Sequence, residues 1–130
     1  MASRSTSMEA FAPAIPGEPG VREAPEHGGI ALSVAPLESG RAGELAPVFK
    51  ALGDPVRLRL LSMIASAADG EICVCDLSGA FPLTGPTISH HLRILREAGL
   101  VDCDRRGTWV YYRPVPDTFL LLAGLLTVTS

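Results

Sequence analysis

Three cysteines carry the most distinctive chemistry in this chain: Cys73 and Cys75, one residue apart, and Cys103. An odd number of thiols, in a sequence where no export signal is read, argues against disulfide stapling. The Cys73-x-Cys75 pair is instead a candidate for a soft, thiophilic metal or metalloid, or for redox chemistry. Side chains two apart lie on opposite faces of a strand and about 200° apart on a helix. Both sulfurs therefore reach one ion only where the backbone changes conformation, as at a strand-to-helix junction. A free Cys is otherwise often a small buried hydrophobe, and Cys103 is read that way. His90 and His91 are neighbours, about 100° apart on a helix, so they are not read as a chelating pair.

The elements that must position these residues follow from periodicity and caps. Leu45, Val48, Phe49 and Leu52 recur at helical spacing, and Gly53 stops that helix. Asp54 then caps a second helix with Pro55 at its first position, closing at Asp69-Gly70. Residues 71–74 suit a short strand, and Cys75 or Asp76 is expected to open a third helix that ends before Pro82. Thr84 caps a fourth helix running to Ala98, where Ile88, His91, Leu92, Leu95 and Ala98 form an inward stripe. Thr87, Ser89, His90, Arg93 and Arg96 fall outside that stripe. Residues 100–104 and 108–113 read as two strands joined by a tight turn at Arg105-Arg106-Gly107. A final helix covers residues 117–127. The order helix, helix, short strand, helix, helix, hairpin, helix is a mainly α winged helix-turn-helix, with helices three and four as the reading pair.

In that frame Thr87, Ser89, His90 and Arg93 are candidate DNA contacts. Arg105 and Arg106 sit where a hairpin tip overhangs a narrow minor groove, a favoured place for arginine. Trp109, Tyr111 and Tyr112 are read as packing and strand residues rather than a stacking platform. The last helix is apolar nearly all round, so with the first helix it is expected to form a homodimer interface.

Composition permits this reading. Of the 130 residues, 47% are hydrophobic and 19% charged, and the net charge is −3. Residues 1–44 hold three Arg against six Glu, whereas the rest holds eight Lys and Arg against eight Asp and Glu, so the acidity belongs to the N-terminal part. That part is rich in Pro, Gly, Ser and Ala. Residues 1–40 are expected to be a flexible arm, and 41–130 the DNA-binding and dimerisation domain. A short strand or turn is expected near residues 30–34. No apolar run approaches a membrane span, which makes cytoplasm the default compartment. The Cys pair has no nucleotide loop or base-paired nucleophile beside it, and an enzyme is not expected.

Five segments occur in a revealing order: Phe49-Lys-Ala-Leu-Gly-Asp-Pro-Val-Arg-Leu-Arg-Leu-Leu61, Glu71-Ile-Cys-Val-Cys-Asp-Leu77, Pro86-Thr-Ile-Ser-His-His-Leu92, Glu97-Ala-Gly-Leu-Val101 and Gly107-Thr-Trp-Val-Tyr-Tyr112. Over about residues 45–126 the chain resembles the ArsR/SmtB family of metal-sensing winged-helix repressors. The resemblance implies a homodimer on operator DNA. It implies Cys73 and Cys75 as metal ligands, since the Cys-Val-Cys-Asp motif is typical of arsenic and antimony sensors and of cadmium and lead sensors. The cadmium/lead type adds cysteines from an N-terminal arm, and this arm has none. The zinc and nickel type uses His and carboxylates on the last helix, which here offers only Asp117. Arsenic(III) or antimony(III) is therefore the expected inducer. The arsenic sites of the family take a third Cys where this chain has Ser78. That leaves Ser78, Cys103 or an external thiol as the third ligand. The family often has Gln where Gly85 stands. A cadmium/lead sensor, or a repressor using the same pair to sense oxidants or persulfide, is the alternative.

Overall fold

The computed structural model describes residues 31–128. Two compact units are distinguished, one formed by residues 45–115 and the other by the N-terminal part through Glu44 together with residues from Pro116 onward. Of the arm expected over residues 1–40, residues 1–30 lie outside the described residues, and residues 31–40 include a turn and the start of the first helix at Ser39.

In the larger unit the elements follow the expected order. Helix α1 (Ser39–Leu52) enters it, and α2 (Pro55–Ala65) follows after a single break. Asp54 is the cap of α2: one carboxylate oxygen accepts the amide N–H groups of Val56 and Arg57, each at 3.0 Å. Those bonds favour the charged form, led by the one from Arg57, and hold the carboxyl below the usual range. After Gly70, which takes a positive φ of 78°, come β1 (Ile72–Cys73) and α3 (Val74–Gly79). Helix α4 (Gly85–Glu97) starts at the expected cap, Thr84, and Gly99 at φ 78° turns the chain into β2 (Val101–Arg106). Strand β3 (Trp109–Pro114) returns antiparallel.

The sheet order is β1-β3-β2, so the central strand is the second arm of the hairpin. Helix α2 packs on α4, and the fully buried residues Leu60, Ile64, Leu77, Ile88, Leu92, Leu95 and Leu100 make up the core of this unit. At about 1.5–3 kcal/mol per fully buried aliphatic side chain, this cluster is what holds the helix pair in place.

Two local expectations change. Cys73, not Cys75 or Asp76, is the cap of α3, with its sulfur accepting the Cys75 amide at 3.3 Å. The hairpin turns at Gly107-Thr108, because Arg105 and Arg106 are strand residues paired with Val110 and Trp109. Gly107, at φ 66°, occupies the left-handed region that such a tight connection requires.

In the smaller unit, α5 (Pro116–Leu125) buries Thr118, Leu121, Leu122 and Leu125. Residues 31–34 form a turn, closed by the Val34 amide on the Ala31 carbonyl at 3.0 Å. This turn is tied to the end of α5 by the Leu32 amide on the Leu125 carbonyl at 3.0 Å and the Ser33 hydroxyl on the Thr127 carbonyl at 3.1 Å. Leu120, Leu126 and Val128 remain exposed, at 61%, 59% and 78%. The inner leucines are thus already covered within one chain, and the apolar surface left open lies elsewhere on the helix and just beyond it. No helix among the described residues is long and apolar enough to cross a membrane.

Candidate functional site

The α3-turn-α4 unit presents one polar face. Ile88, Leu92 and Leu95 point into the core, which leaves Ser89, His90 and Arg93 exposed on the opposite side of α4. The Arg93 guanidinium lies 3.5 Å from His90 Nδ1. Thr87 is half-buried and takes part in the cap: its amide donates to Thr84 Oγ1 at 3.3 Å, and the two hydroxyls are 2.9 Å apart. At Gly85 an added Cβ would meet nothing within 4 Å, so the start of α4 is open to an approaching surface. His91 is half-buried, and its Nδ1 accepts from the Arg57 guanidinium at 3.2 Å. Arg57 also donates to the Ala51 carbonyl at 2.7 Å, so this one side chain joins α2 to both α1 and α4.

The wing is more constrained than its charge suggests. The Arg105 side chain is exposed and, among the described residues, makes no ion pair or hydrogen bond. Arg106 is enclosed by carboxylates. Its two terminal nitrogens donate to the two Glu71 oxygens at 2.6 and 2.7 Å, its Nε donates to Asp104 at 3.0 Å, and its guanidinium lies 4.5 Å over the Tyr111 ring. Arg113 continues the network, donating to Asp104 at 2.7 Å and to Asp102 at 3.4 Å. The Arg106 hydrogen bond holds the Glu71 carboxyl below its ordinary range, and Arg106 itself is pushed further up.

The thiols are separated by the pleat. Residues directly opposite in an antiparallel ladder share a face. Cys73 is opposite Tyr111, which is opposite Asp104, whereas Ile72, Tyr112 and Cys103 are opposite one another along the next row. Cys73 and Cys103 therefore leave the sheet on opposite faces, with a strand between them. Cys103 is engaged on its own side: Arg96 donates to its sulfur at 3.8 Å, and Tyr112 beside it is pushed up to about 12, first by burial and then by the neighbouring thiol. Cys73 and Cys75 do come together, at the β1–α3 junction. Cys73 is buried and Cys75 exposed, and both border an open groove of about 500 Å³ with Ala67, Glu71, Asp76, Trp109 and Tyr111. A hydrogen bond with the Cys73 side chain, then burial and the charge of Asp76, push the Cys75 thiol up. Among the described residues, no group of three or more His, Cys, Asp or Glu side chains is gathered as a metal site.

Sequence reasoning had no account of Glu71, Asp104 and Arg113. Glu71 lies 35 positions from Arg106, and only its place one residue outside β1, in the row of Cys73, could have signalled the pairing.

Comparison with known proteins agrees with this geometry. Residues 54–102, from the cap of α2 into β2, match the model of the bacterial regulatory protein arsR family. An uncharacterized HTH-type transcriptional regulator of Methanocaldococcus jannaschii is 46% identical over 72 residues, 55% of this chain and 79% of the relative. The arsenic resistance transcriptional regulator ArsR1 of Pseudomonas putida is 50% identical over 70 residues, 54% of this chain but 53% of the relative, so the match spans about half of that protein. A cadmium resistance regulatory protein CadC homolog of Staphylococcus aureus is 38% identical over 69 residues, 53% of this chain and 55% of the relative. Among solved structures, an ArsR-like transcriptional regulator from Rhodococcus superposes with a TM-score of 0.60 at 29% identity, covering 67% of this chain and 77% of the other. The winged helix-turn-helix is thus the expected one, and the chain belongs to the arsR family of bacterial regulatory proteins, which are transcriptional regulators and not enzymes.

Proposed function

We propose that this regulator is a cytoplasmic repressor that binds operator DNA as a homodimer and is released when arsenic(III) or antimony(III) binds Cys73 and Cys75. The observation that carries this reading is the position of the pair. Cys73 is the cap of α3, the first helix of the DNA-reading pair, and its sulfur holds the Cys75 amide. A ligand that draws both sulfurs to itself acts directly on the start of that helix. Soft thiols suit a thiophilic metalloid, and the arsenic resistance regulator among the relatives supports the same choice. The opposite-face placement of Cys103 weighs against it as the third donor, which leaves Ser78 or a thiol from solution. Arsenous acid condenses with thiols, each thiol proton leaving in water, so a raised Cys75 does not oppose binding.

The test is release of the reduced full-length protein from a duplex it has itself enriched from a random pool. Arsenite or antimonite is expected to dissociate the complex and zinc to leave it intact. Release by peroxide alone, or by cadmium alone, would transfer the function to a redox or cadmium sensor.

Exposure supports Ser89, His90 and Arg93 as the major-groove contacts and Arg105 as a contact in the flanking minor groove, with Thr87 at the cap and Arg106, once free of its carboxylates, completing the proposed set. Ser89→Ala or His90→Ala is expected to reduce discrimination between the enriched duplex and random DNA by about 1–3 kcal/mol where a base contact is lost. Unchanged discrimination in both variants, measured by fluorescence anisotropy, would remove α4 as the reading helix.

A further inference from the structure

The wing carries an arginine that protein carboxylates already hold. Glu71 takes both terminal nitrogens of Arg106 in a bidentate pair at 2.6 and 2.7 Å, and Asp104 takes the third donor at 3.0 Å. The plane is further fixed 4.5 Å over Tyr111. A guanidinium has five N–H donors, and its end-on fork, formed by the two terminal nitrogens, can serve a carboxylate or a phosphate but not both, so the two ligands compete for that edge. Arg106 cannot donate to DNA through that fork while Glu71 occupies it. The neighbouring Arg113 has a different arrangement, with single bonds to Asp104 and Asp102. Glu71 is not on the wing. It precedes β1, the two-residue strand that leads into the cap of α3, so the pair ties the hairpin to the segment that opens the reading unit.

We propose that Glu71 is a positioning residue of the wing: it sequesters Arg106 from DNA, and operator binding exchanges the Glu71 carboxylate for a DNA phosphate. The proposal rests on the wing contact proposed above. Glu71 and Arg106 are both partly solvated, with side chains 26% and 49% exposed, so the exchange needs no unfolding of the core. An exposed pair of this kind contributes modestly to the fold, which lets a phosphate compete. The carboxylate lowers affinity for every duplex alike, because the contact it blocks is to backbone rather than to a base.

The experiment is a double-mutant cycle in the full-length protein without inducer, read by anisotropy across a salt series. Glu71→Gln is expected to bind the enriched duplex about two- to fivefold more tightly, the range of one exposed ion pair. The same variant should keep the wild-type salt dependence, because Arg106 meets its phosphate in both complexes. Glu71→Asp should return affinity towards wild type. In an Arg106→Ala background, Glu71→Gln should change nothing. Equal tightening in both backgrounds would mean that Glu71 acts by general repulsion of DNA, and the proposal falls. Unchanged or weaker binding by Glu71→Gln, with Arg106→Ala clearly impaired, would overturn the sequestration and leave the wing contact standing. Arg106→Ala with wild-type affinity and slope would remove the wing contact and the exchange together.

Discussion

Replacing Leu120 and Leu126 together with glutamate is expected to give a folded monomer whose operator affinity falls by about 100- to 10,000-fold, the range gained when two binding modules are joined. Both side chains are exposed in the single chain, so the exchange leaves no cavity. Among the described residues, six of the nine exposed large hydrophobics (Leu32, Val34, Leu37, Leu120, Leu126 and Val128) belong to the smaller unit, so under the proposed homodimer that unit is the part a second copy would cover. Sedimentation gives the oligomeric state, and circular dichroism verifies the helices. A double variant that stays dimeric would place the interface on other residues. Leu121 and Leu125, the choice the all-round apolar pattern suggests, are the wrong probes. They are 9% and 1% exposed, and charging them would unfold α5 before it reported on assembly.

Cys73→Ser and Cys75→Ser are each expected to remain on the operator in arsenite concentrations that release the wild type. A typical coupling between effector and DNA is ~1–3 kcal/mol, so the release lost corresponds to roughly 5- to 150-fold in affinity. The ligand must bind the DNA-free form more tightly than the bound one for any release to occur. Serine at position 73 keeps a good helix cap, so the apo protein should hold its fold and its DNA. Cys103→Ser should respond as wild type, since its thiol lies on the other face of the sheet. An arsenite titration by anisotropy distinguishes these outcomes. Loss of response in Cys103→Ser with a normal response in Cys75→Ser would place the sensor elsewhere.

The parts of this molecule legible in the sequence were those set by local rules. Thr84 before Gly85-Pro86, and Asp54 before Pro55, are side-chain caps beside residues suited to a first turn, and both helices start there. The core stripe of Ile88, Leu92 and Leu95 follows from period alone. The cap of α3 was placed two or three residues late, because a cysteine sulfur is not among the common capping groups. The hairpin turn was drawn too early, because Arg-Arg-Gly reads as polar loop. In the structure Glu71, Asp104 and Tyr111 give Arg106 a reason to stay in the strand. Such a network joins residues distant in sequence, and no window along the chain contains it. The pair Cys73 and Cys75 was legible because its spacing demanded a change of backbone conformation, and β1 passes directly into α3 there.

The charge held inside the wing also bears on how such a protein finds its site in a genome. Non-specific binding grows with the number of phosphates a surface can neutralise, and a genome offers on the order of a million or more competing positions. On the face of the sheet shared by Tyr111 and Cys73, two arginines stand against Glu71, Asp102 and Asp104, so that face carries no excess positive charge to random sequence. A protein with a net charge of −3 and a neutralised wing spends less of its time parked on the wrong DNA. Because operator and random sequence are weakened alike, the ratio between them is unchanged, and what shortens is each stay on random sequence during the search.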